Sequence, residues 1–239
     1  MAQLIYGKNT IREILQQGKI KKLYLTKNHE DIKAEAQKVG LSVVVVDKGK
    51  LDKLCGPVNH QGIAAEIEDY KTYSVEDILA DIPSGELGVL VVLDELEDPH
   101  NLGAILRSAC ATGVHGVIIK KRHAAGLTPT VAKVSAGAIE HVKVAEVTNI
   151  TQCLKLLKEK GYWVAGAAKE KQAQDYRYPA YDTPLALVIG NEGKGISRLV
   201  KETCDFFVAL PMQGKVESLN ASVACGVLLY EIYSKRFPL

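Results

Sequence analysis

The stretch Leu185-Ala186-Leu187-Val188-Ile189-Gly190-Asn191-Glu192-Gly193-Lys194-Gly195 decides the fold. Five apolar residues in a row read as a strand, and the glycine-rich polar turn behind them leads into a helix predicted over 195–202. The same construction occurs twice more. Residues 89–93 run into Asp98-Pro99-His100-Asn101-Leu102-Gly103 and Arg107, and residues 206–210 run into Glu217-Ser218-Leu219-Asn220. Open α/β sheets gather their ligands at the carboxyl ends of strands, so three polar loops in that position predict one composite site.

Outward from these loops, strands are predicted at 89–93, 115–119, 142–144, 162–166, 185–189 and 206–210. Helices are predicted at 102–112, 128–138, 149–160, 195–202 and 218–236. This alternation implies an α/β domain over residues 87–239 with a parallel sheet covered on both faces. Residues 1–70 read as a separate, smaller α/β unit. It has a helix N-capped by Thr10, a strand at 22–26, a helix at 31–39 stopped by Gly40, a valine-rich strand at 41–46 and a closing strand at 62–67. Residues 71–86 read as a linker with a short helix, capped by Ser74 with Asp77 in capping-box position.

Composition narrows the function classes. Apolar residues are 47% and charged residues 24% of 239, an ordinary soluble balance, and no apolar run reaches the roughly 18–20 residues of a membrane span. The N-terminal residues lack the pattern of a signal peptide, so a cytoplasmic protein is expected. Five scattered cysteines form no CxxC pair and the six histidines form no HExxH, which argues against a disulfide framework and against a metal site. Charge is unevenly spread. Residues 1–27 hold Lys8, Arg12, Lys19, Lys21, Lys22 and Lys27 against Glu13 alone, a local balance of +5, and Lys120-Lys121-Arg122-His123 form a second run. Lys8, Arg12, Lys21, Lys22, Lys120, Lys121 and Arg122 are the candidate contacts to a polyanion such as RNA. The plainer alternative is two solvated basic surfaces.

Each polar loop alone also has a plain structural reading. Asn101 suits an N-cap whose helix buries Leu102, Ile105, Leu106 and Ala109, while Gly103 and Arg107 share another face where a substrate backbone can approach a planar phosphate donor. The 190–195 turn matches neither GxxxxGK[ST] nor GxGxxG, which disfavours a P-loop or a standard dinucleotide enzyme. Ser218 suits an N-cap for the last helix.

Taken together, the three loops resemble the motifs of the SpoU (TrmH-like) family of RNA ribose 2′-O-methyltransferases, within the SPOUT superfamily. The resemblance runs from about Val89 onward. The Lys-Lys-Arg-His run and Thr128-Pro129-Thr130-Val131-Ala132-Lys133-Val134-Ser135-Ala136-Gly137-Ala138 look like its RlmB-type subgroup, which methylates a guanosine ribose in 23S rRNA. Residues 1–70 are similar to the subgroup's RNA substrate-binding domain.

The resemblance implies S-adenosylmethionine as methyl donor, a C-terminal trefoil knot and a homodimer. By the same analogy the cofactor is held around Ala167, Gly190, Leu210, Met212 and Leu219, and relatives often carry threonine where this chain has Ala167. Asn101, Arg107, Glu192, Ser218 and Asn220 occupy the family's functional positions. The family proposal makes the arginine the proton acceptor, but a guanidinium normally stays charged. Arg107 is therefore read as a phosphate ligand that stabilises alkoxide charge, with Glu192 as proton acceptor or as the group that orients Arg107. The rivals are a tRNA substrate, and a non-catalytic RNA-binding protein on the same scaffold.

Overall fold

A computed structural model describes residues 3–16, 18–214 and 218–238, so Glu217 of the third loop lies outside the described residues. The chain divides into two units, Met1–Tyr70 and Lys71–Leu239.

The first unit contains β1 (Gln3–Tyr6), α1 (Lys8–Gln16), β2 (Ile20–Leu25), α2 (Glu30–Lys38), β3 (Val43–Val45), α3 (Lys48–Cys55) and β4 (Ile63–Ile67). Its sheet has the order β1-β4-β2-β3, with β4 antiparallel to both neighbours and β2 parallel to β3. Strand alternation sorts the core. Leu23, Leu25, Ile63, Ala65 and Ile67 pack with Ile11 and Ile14 of α1 and Ile32 of α2. Tyr24 and Ala64 turn the other way, onto Leu51 of α3. Two elements are not legible in the sequence: β1 is only four residues long, and α3 opens with the polar Lys48-Gly49-Lys50. Asp47 makes α3 possible by accepting from the Lys50 N–H at 2.8 Å. Helix α1 begins at Lys8, ahead of the Thr10 cap expected, because Gly7 at φ 94° makes the turn and its carbonyl accepts from the Ile11 N–H.

The second unit contains α4 (Val75–Ala80), β5 (Val89–Asp94), α5 (Pro99–Ala111), β6 (Gly116–Lys120), α6 (Pro129–Val134), β7 (Val144–Val147), α7 (Ile150–Glu159), β8 (Trp163–Ala167), β9 (Gln174–Asp175), β10 (Leu185–Gly190), α8 (Arg198–Lys201), β11 (Phe206–Ala209) and α9 (Ala221–Arg236). Seven strands form one sheet in the order β7-β6-β5-β10-β8-β11-β9, and every pairing is parallel. The carboxyl ends therefore share one edge. The chain steps from β5 outward through β6 and β7, then returns to the opposite side of β5, which is where α/β sheets open a ligand crevice. One face is packed by Val75 and Ile78 of α4, Leu154 and Leu157 of α7 and Val200 of α8. On α5 the residues Leu102, Ile105, Leu106 and Ala109 are all buried, and α5 packs against α6 and α9.

Residues 71–86 fold into this unit where a linker was expected. Ser74 and Asp77 form the predicted capping box, Val75 and Ile78 are buried in the core, and the Tyr73 N–H donates to the Val144 carbonyl at 2.9 Å. The helix predicted over 128–138 stops at Val134, because Ala136 and Gly137 take left-handed backbone angles; residues 138–140 form a 3-10 turn, and the following strand moves to 144–147. The helix predicted over 195–202 shrinks to α8. Gly195 closes a tight antiparallel turn with Asn191, and the Ser197 N–H is taken by the buried Asp94 carboxylate at 2.7 Å.

Gly103 serves packing rather than substrate approach. A Cβ there would lie 2.6 Å from Val134 Cβ and 3.1 Å from the Val131 carbonyl oxygen. Gly103→Ala should therefore lower stability by about 1–2 kcal/mol, since overpacking costs about 1–3 kcal/mol and the alanine helix propensity returns up to about 1. Urea denaturation monitored by circular dichroism measures this; unchanged stability would show that α6 yields freely.

Candidate functional site

The three loops meet at the carboxyl edge of β5, β10, β8 and β11. Helix α5 is capped by Asp98, whose carboxylate accepts from the His100 N–H at 2.9 Å, with Pro99 at the first helical position where its missing N–H costs nothing. This corrects the expectation that Asn101 is the cap. Relieved of capping, the Asn101 side chain is buried and bridges the other two loops. Helix α9 is likewise capped by Asn220, not Ser218: Asn220 Oδ1 accepts from the N–H groups of Ser222 at 2.9 Å and Val223 at 3.3 Å.

That cap fixes a direction. Backbone N–H groups can only donate, so Asn220 must present Oδ1 to them and Nδ2 outward. Asn220 Nδ2 donates to Asn101 Oδ1 at 2.9 Å, and Asn101 Nδ2 in turn donates to Glu192 Oε1. A chain of amides thus runs from the end of α9 to a carboxylate in the second loop, with no choice of orientation along it.

The second loop is held independently. Asn191 Oδ1 accepts from the N–H groups of Gly193 and Lys194, and its Nδ2 donates to the Glu95 carbonyl at 2.9 Å. Gly190 is required by close approach, since a Cβ would fall 2.3 Å from the Gly195 carbonyl carbon and 2.4 Å from the Ile196 nitrogen.

Beside Glu192 lies a cavity of about 290 Å³ at the ends of β8, β10 and β11. Ala167, Gly190, Leu210, Met212 and Leu219 all line it, as do Glu192 and Ser218. Aliphatic walls come from Ile189, Leu228 and the small side chains of α9. The backbone N–H groups of Leu210, Met212 and Leu219 have no hydrogen-bond partner among the described residues. A flat apolar ligand edged with acceptors matches that lining. Sequence reasoning missed Lys169, Glu170 and Lys201, which also line the cavity; Lys201 and Glu170 pair at 2.6 Å. Residues 169 and 170 follow a fourth strand end, β8, and the same edge rule would have found them.

Arg107 does not line the cavity. It lies two turns along α5, exposed, and has no hydrogen bond or ion pair among the described residues. Of the remaining cations, Lys120 is tied to Glu95 at 2.7 Å, which holds that carboxyl below its ordinary range, while Lys121 and Arg122 are exposed in the turn after β6. In the first unit, Lys8 pairs with Asp31 at 2.9 Å, Arg12 with Asp31 at 2.6 Å and Glu35 at 3.3 Å, and Lys21 with Glu68 at 3.6 Å. The Lys22 amine sits 5.3 Å from the Tyr24 ring centre. Burial pushes the Cys153 thiol up to about 11 and those of Cys204 and Cys225 to about 12, which leaves them unreactive at neutral pH. Among the described residues, no cluster of His, Cys, Asp or Glu could hold a metal, and no helix is long and apolar enough to cross a membrane.

Comparison with known proteins bears on both units. Residues 88–230 match the SpoU rRNA methylase family, and residues 4–73 match the RNA 2′-O ribose methyltransferase substrate-binding family. A Bacillus subtilis protein, YacO, whose name places it in the TrmH family of tRNA/rRNA methyltransferases, is 47% identical over 98% of this chain and 96% of its own. The AdoMet-bound rRNA methyltransferase from Sinorhizobium meliloti has a TM-score of 0.64 at 25% identity, covering 100% of this chain and 88% of that one. The TrmH/SpoU tRNA-modifying enzyme of A. aeolicus has a TM-score of 0.59 at 28% identity, but covers only 67% of this chain and 81% of its own. With a parallel-sheet unit whose three loops are joined by one chain of hydrogen bonds beside a cavity, and a unit that matches the substrate-binding family preceding it, the chain belongs to the SpoU rRNA methylase family of RNA methyltransferases.

Proposed function

We propose that this protein transfers a methyl group from S-adenosylmethionine to a ribose 2′-oxygen of RNA, on a guanosine of 23S rRNA, in the cytoplasm. The observation that carries the reading is the oriented amide chain ending on Glu192 at the lip of a cavity with unpaired backbone donors. Bound there, S-adenosylmethionine supplies an electrophilic methyl on a positively charged sulfur. Leu210, Met212 and Leu219 would hold its adenine through their N–H groups, with Gly190 leaving room for it and the polar Glu170, Lys201 and Ser218 available to its charged end. The protein must position a ribose hydroxyl and accept its proton. Glu192 accepts that proton through the carboxylate oxygen that Asn101 leaves free, and Asn101 keeps the group aimed.

The ribosomal substrate is favoured over tRNA by coverage. The Sinorhizobium rRNA methyltransferase matches this chain along its whole length, whereas the A. aeolicus tRNA-modifying enzyme covers two thirds of it. The reading carries with it the family's trefoil knot and homodimer. Support for the dimer lies on α9, where Val223, Val227 and Tyr230 are exposed on one face beside Ala104 and Ser108 of α5. A face of this kind asks for an apolar partner. Arg107 is on the same helix as Ala104 and Ser108 and does not reach its own chain's cavity, so it acts on the phosphate or alkoxide at the partner's site.

Four outcomes test this. In single-turnover methylation, Glu192→Gln should lose about 100- to 10,000-fold in rate and its dependence on carboxylate ionisation. Arg107→Ala should lose about 100- to 1,000-fold, Arg107→Lys less, with S-adenosylmethionine affinity by calorimetry unchanged in both. Full activity of Glu192→Gln across the pH range would remove it as the base. Mixing Arg107→Ala with Glu192→Gln protein should restore activity, because one of the two sites in a mixed dimer is intact; no restoration would place Arg107 in its own protomer's site. Asn220→Asp keeps the helix cap, since Asp and Asn cap equally well, but can no longer donate to Asn101. Its melting temperature should stay within about 2 °C and its rate fall about 10- to 100-fold, the cost of one hydrogen bond leading to a charged group. A rate equal to wild type would mean that the amide chain has no part in the reaction.

A further inference from the structure

The basic residues of the first unit that carry the sequence-level charge excess are largely engaged. Asp31, Glu35 and Glu68 take up Lys8, Arg12 and Lys21. Several lysines of the unit are not engaged, Lys27 of that excess among them, and three of these share one place. Lys27, Lys48 and Lys50 are exposed, have no ion pair or side-chain hydrogen bond among the described residues, and line a single hollow together. The hollow is built from the loop after β2, the start of α3 and the loop before β4.

Two carboxylates line these hollows, Asp47 the first and Asp52 its continuation, and each is held by a hydrogen bond, as the neighbouring acids are by ion pairs. Glu30 pairs with Lys33 at 3.3 Å, Asp31 with Lys8 and Arg12, Asp47 caps α3, and Asp52 holds His60 at 2.8 Å. Lys48 and Lys50 moreover sit in the first turn of α3, which has no acidic residue, where the helix dipole disfavours cations by about 0.3–1 kcal/mol each.

The wall facing them is rigid. Gln61 is held at φ 56° and Gly62 at φ 76°; His29 Nε2 donates to the Gln61 carbonyl at 2.9 Å, and the Thr26 hydroxyl donates to the Gly62 carbonyl at 3.2 Å. His60 is buried and accepts the Gly62 N–H at its Nδ1. A second hollow continues past the same loop, sharing Lys48, Gln61 and Gly62 and adding Asn59. The result is a lysine-rich groove edged by amide side chains, with no Phe, Tyr or Trp lining it and with the rings of His29 and His60 both hydrogen-bonded to the 61–62 loop.

We propose that this groove, rather than the Lys8–Arg12–Lys21 surface, holds the phosphodiester backbone of the RNA substrate. Lysines free of carboxylate partners suit phosphates, the amides of Asn28, Asn59 and Gln61 suit ribose hydroxyls or base edges, and the absence of Phe, Tyr and Trp sets phosphate binding above base stacking. The inference rests on the RNA methyltransferase reading and deepens it.

Fluorescence anisotropy of the full chain with labelled 23S rRNA transcript, across a salt series, tests it. Lys27→Ala/Lys48→Ala/Lys50→Ala should bind about 10- to 100-fold more weakly near 150 mM salt, and the slope of log affinity against log salt should shrink by about 2–3, at roughly 0.7–0.9 for each phosphate no longer neutralised. Lys8→Ala/Lys21→Ala should stay within threefold of wild type. Calorimetric S-adenosylmethionine binding and the melting temperature, unchanged in both variants, certify the fold. Equal affinity of the first variant and wild type overturns the groove, and so does equal loss in the two variants or displacement of RNA by polyglutamate as efficient as by unlabelled RNA. No RNA binding by the wild-type chain at any salt would overturn the RNA methyltransferase reading itself.

Discussion

The amide oxygen of Asn220 is committed to two backbone N–H groups at the start of α9, and much of the site follows from that commitment. A capping oxygen cannot be exchanged for an amide nitrogen without leaving helix donors unpaired, at about 1–3 kcal/mol. Asn220 therefore donates toward Asn101, and Asn101 toward Glu192. A structural necessity of one helix thereby sets the electrostatics of a loop far away in sequence. Glu192 stands 91 residues from Asn101, and Asn101 stands 119 from Asn220, so the three meet only when the sheet is complete.

The parallel sheet makes that meeting possible. Strand polarity sends every β-to-α loop to one edge, and the order β5-β10-β8-β11 puts loops distant in the chain side by side. Two glycines then set the distances. Gly190 lets the backbone of residues 195–196 fold onto the strand end, which shapes the cavity wall, and Gly103 lets α6 close on α5. Asp94 and Glu95, at the end of β5, fasten the second loop through Ser197 and Asn191. The loop that carries Glu192 is thus braced by β5, by its own turn and by Asn101. Such redundancy would hold Glu192 within the tolerance that the proposed proton transfer requires.

The strands and the order of the loops are legible in the sequence because their signals are local: apolar runs, glycine turns and capping residues. All five residues assigned to the cofactor by family resemblance line one cavity, and Glu192, Asn101 and Asn220 are joined by hydrogen bonds. What is not legible depends on partners distant in the chain. Asn101 and Ser218 both look like caps, and only the structure shows Asp98 and Asn220 in that role. Gly103 beside Arg107 suggests room for substrate, whereas Val134 occupies that space. Residues 71–86 look like a linker because polar residues dominate them, yet Val75 and Ile78 suffice to fasten α4 to the core.

Charge shows the same limit most clearly. A count over residues 1–27 finds a strong excess of cations, but the acids that neutralise them, Asp31, Glu35 and Glu68, come later in the chain. Ion pairs between exposed groups contribute little to stability, typically about 0–1 kcal/mol, yet they decide which cations remain available to an outside anion. A lysine already beside a carboxylate must break that pair before it binds phosphate, so its contribution to affinity is reduced by what the pair was worth. Lys27, Lys48 and Lys50 have no such pair to break, and two of them stand where the helix dipole works against them. Cations kept in an electrostatically unfavourable place, beside a loop held rigid by His29 and His60, are better explained by an external polyanion than by the stability of the fold.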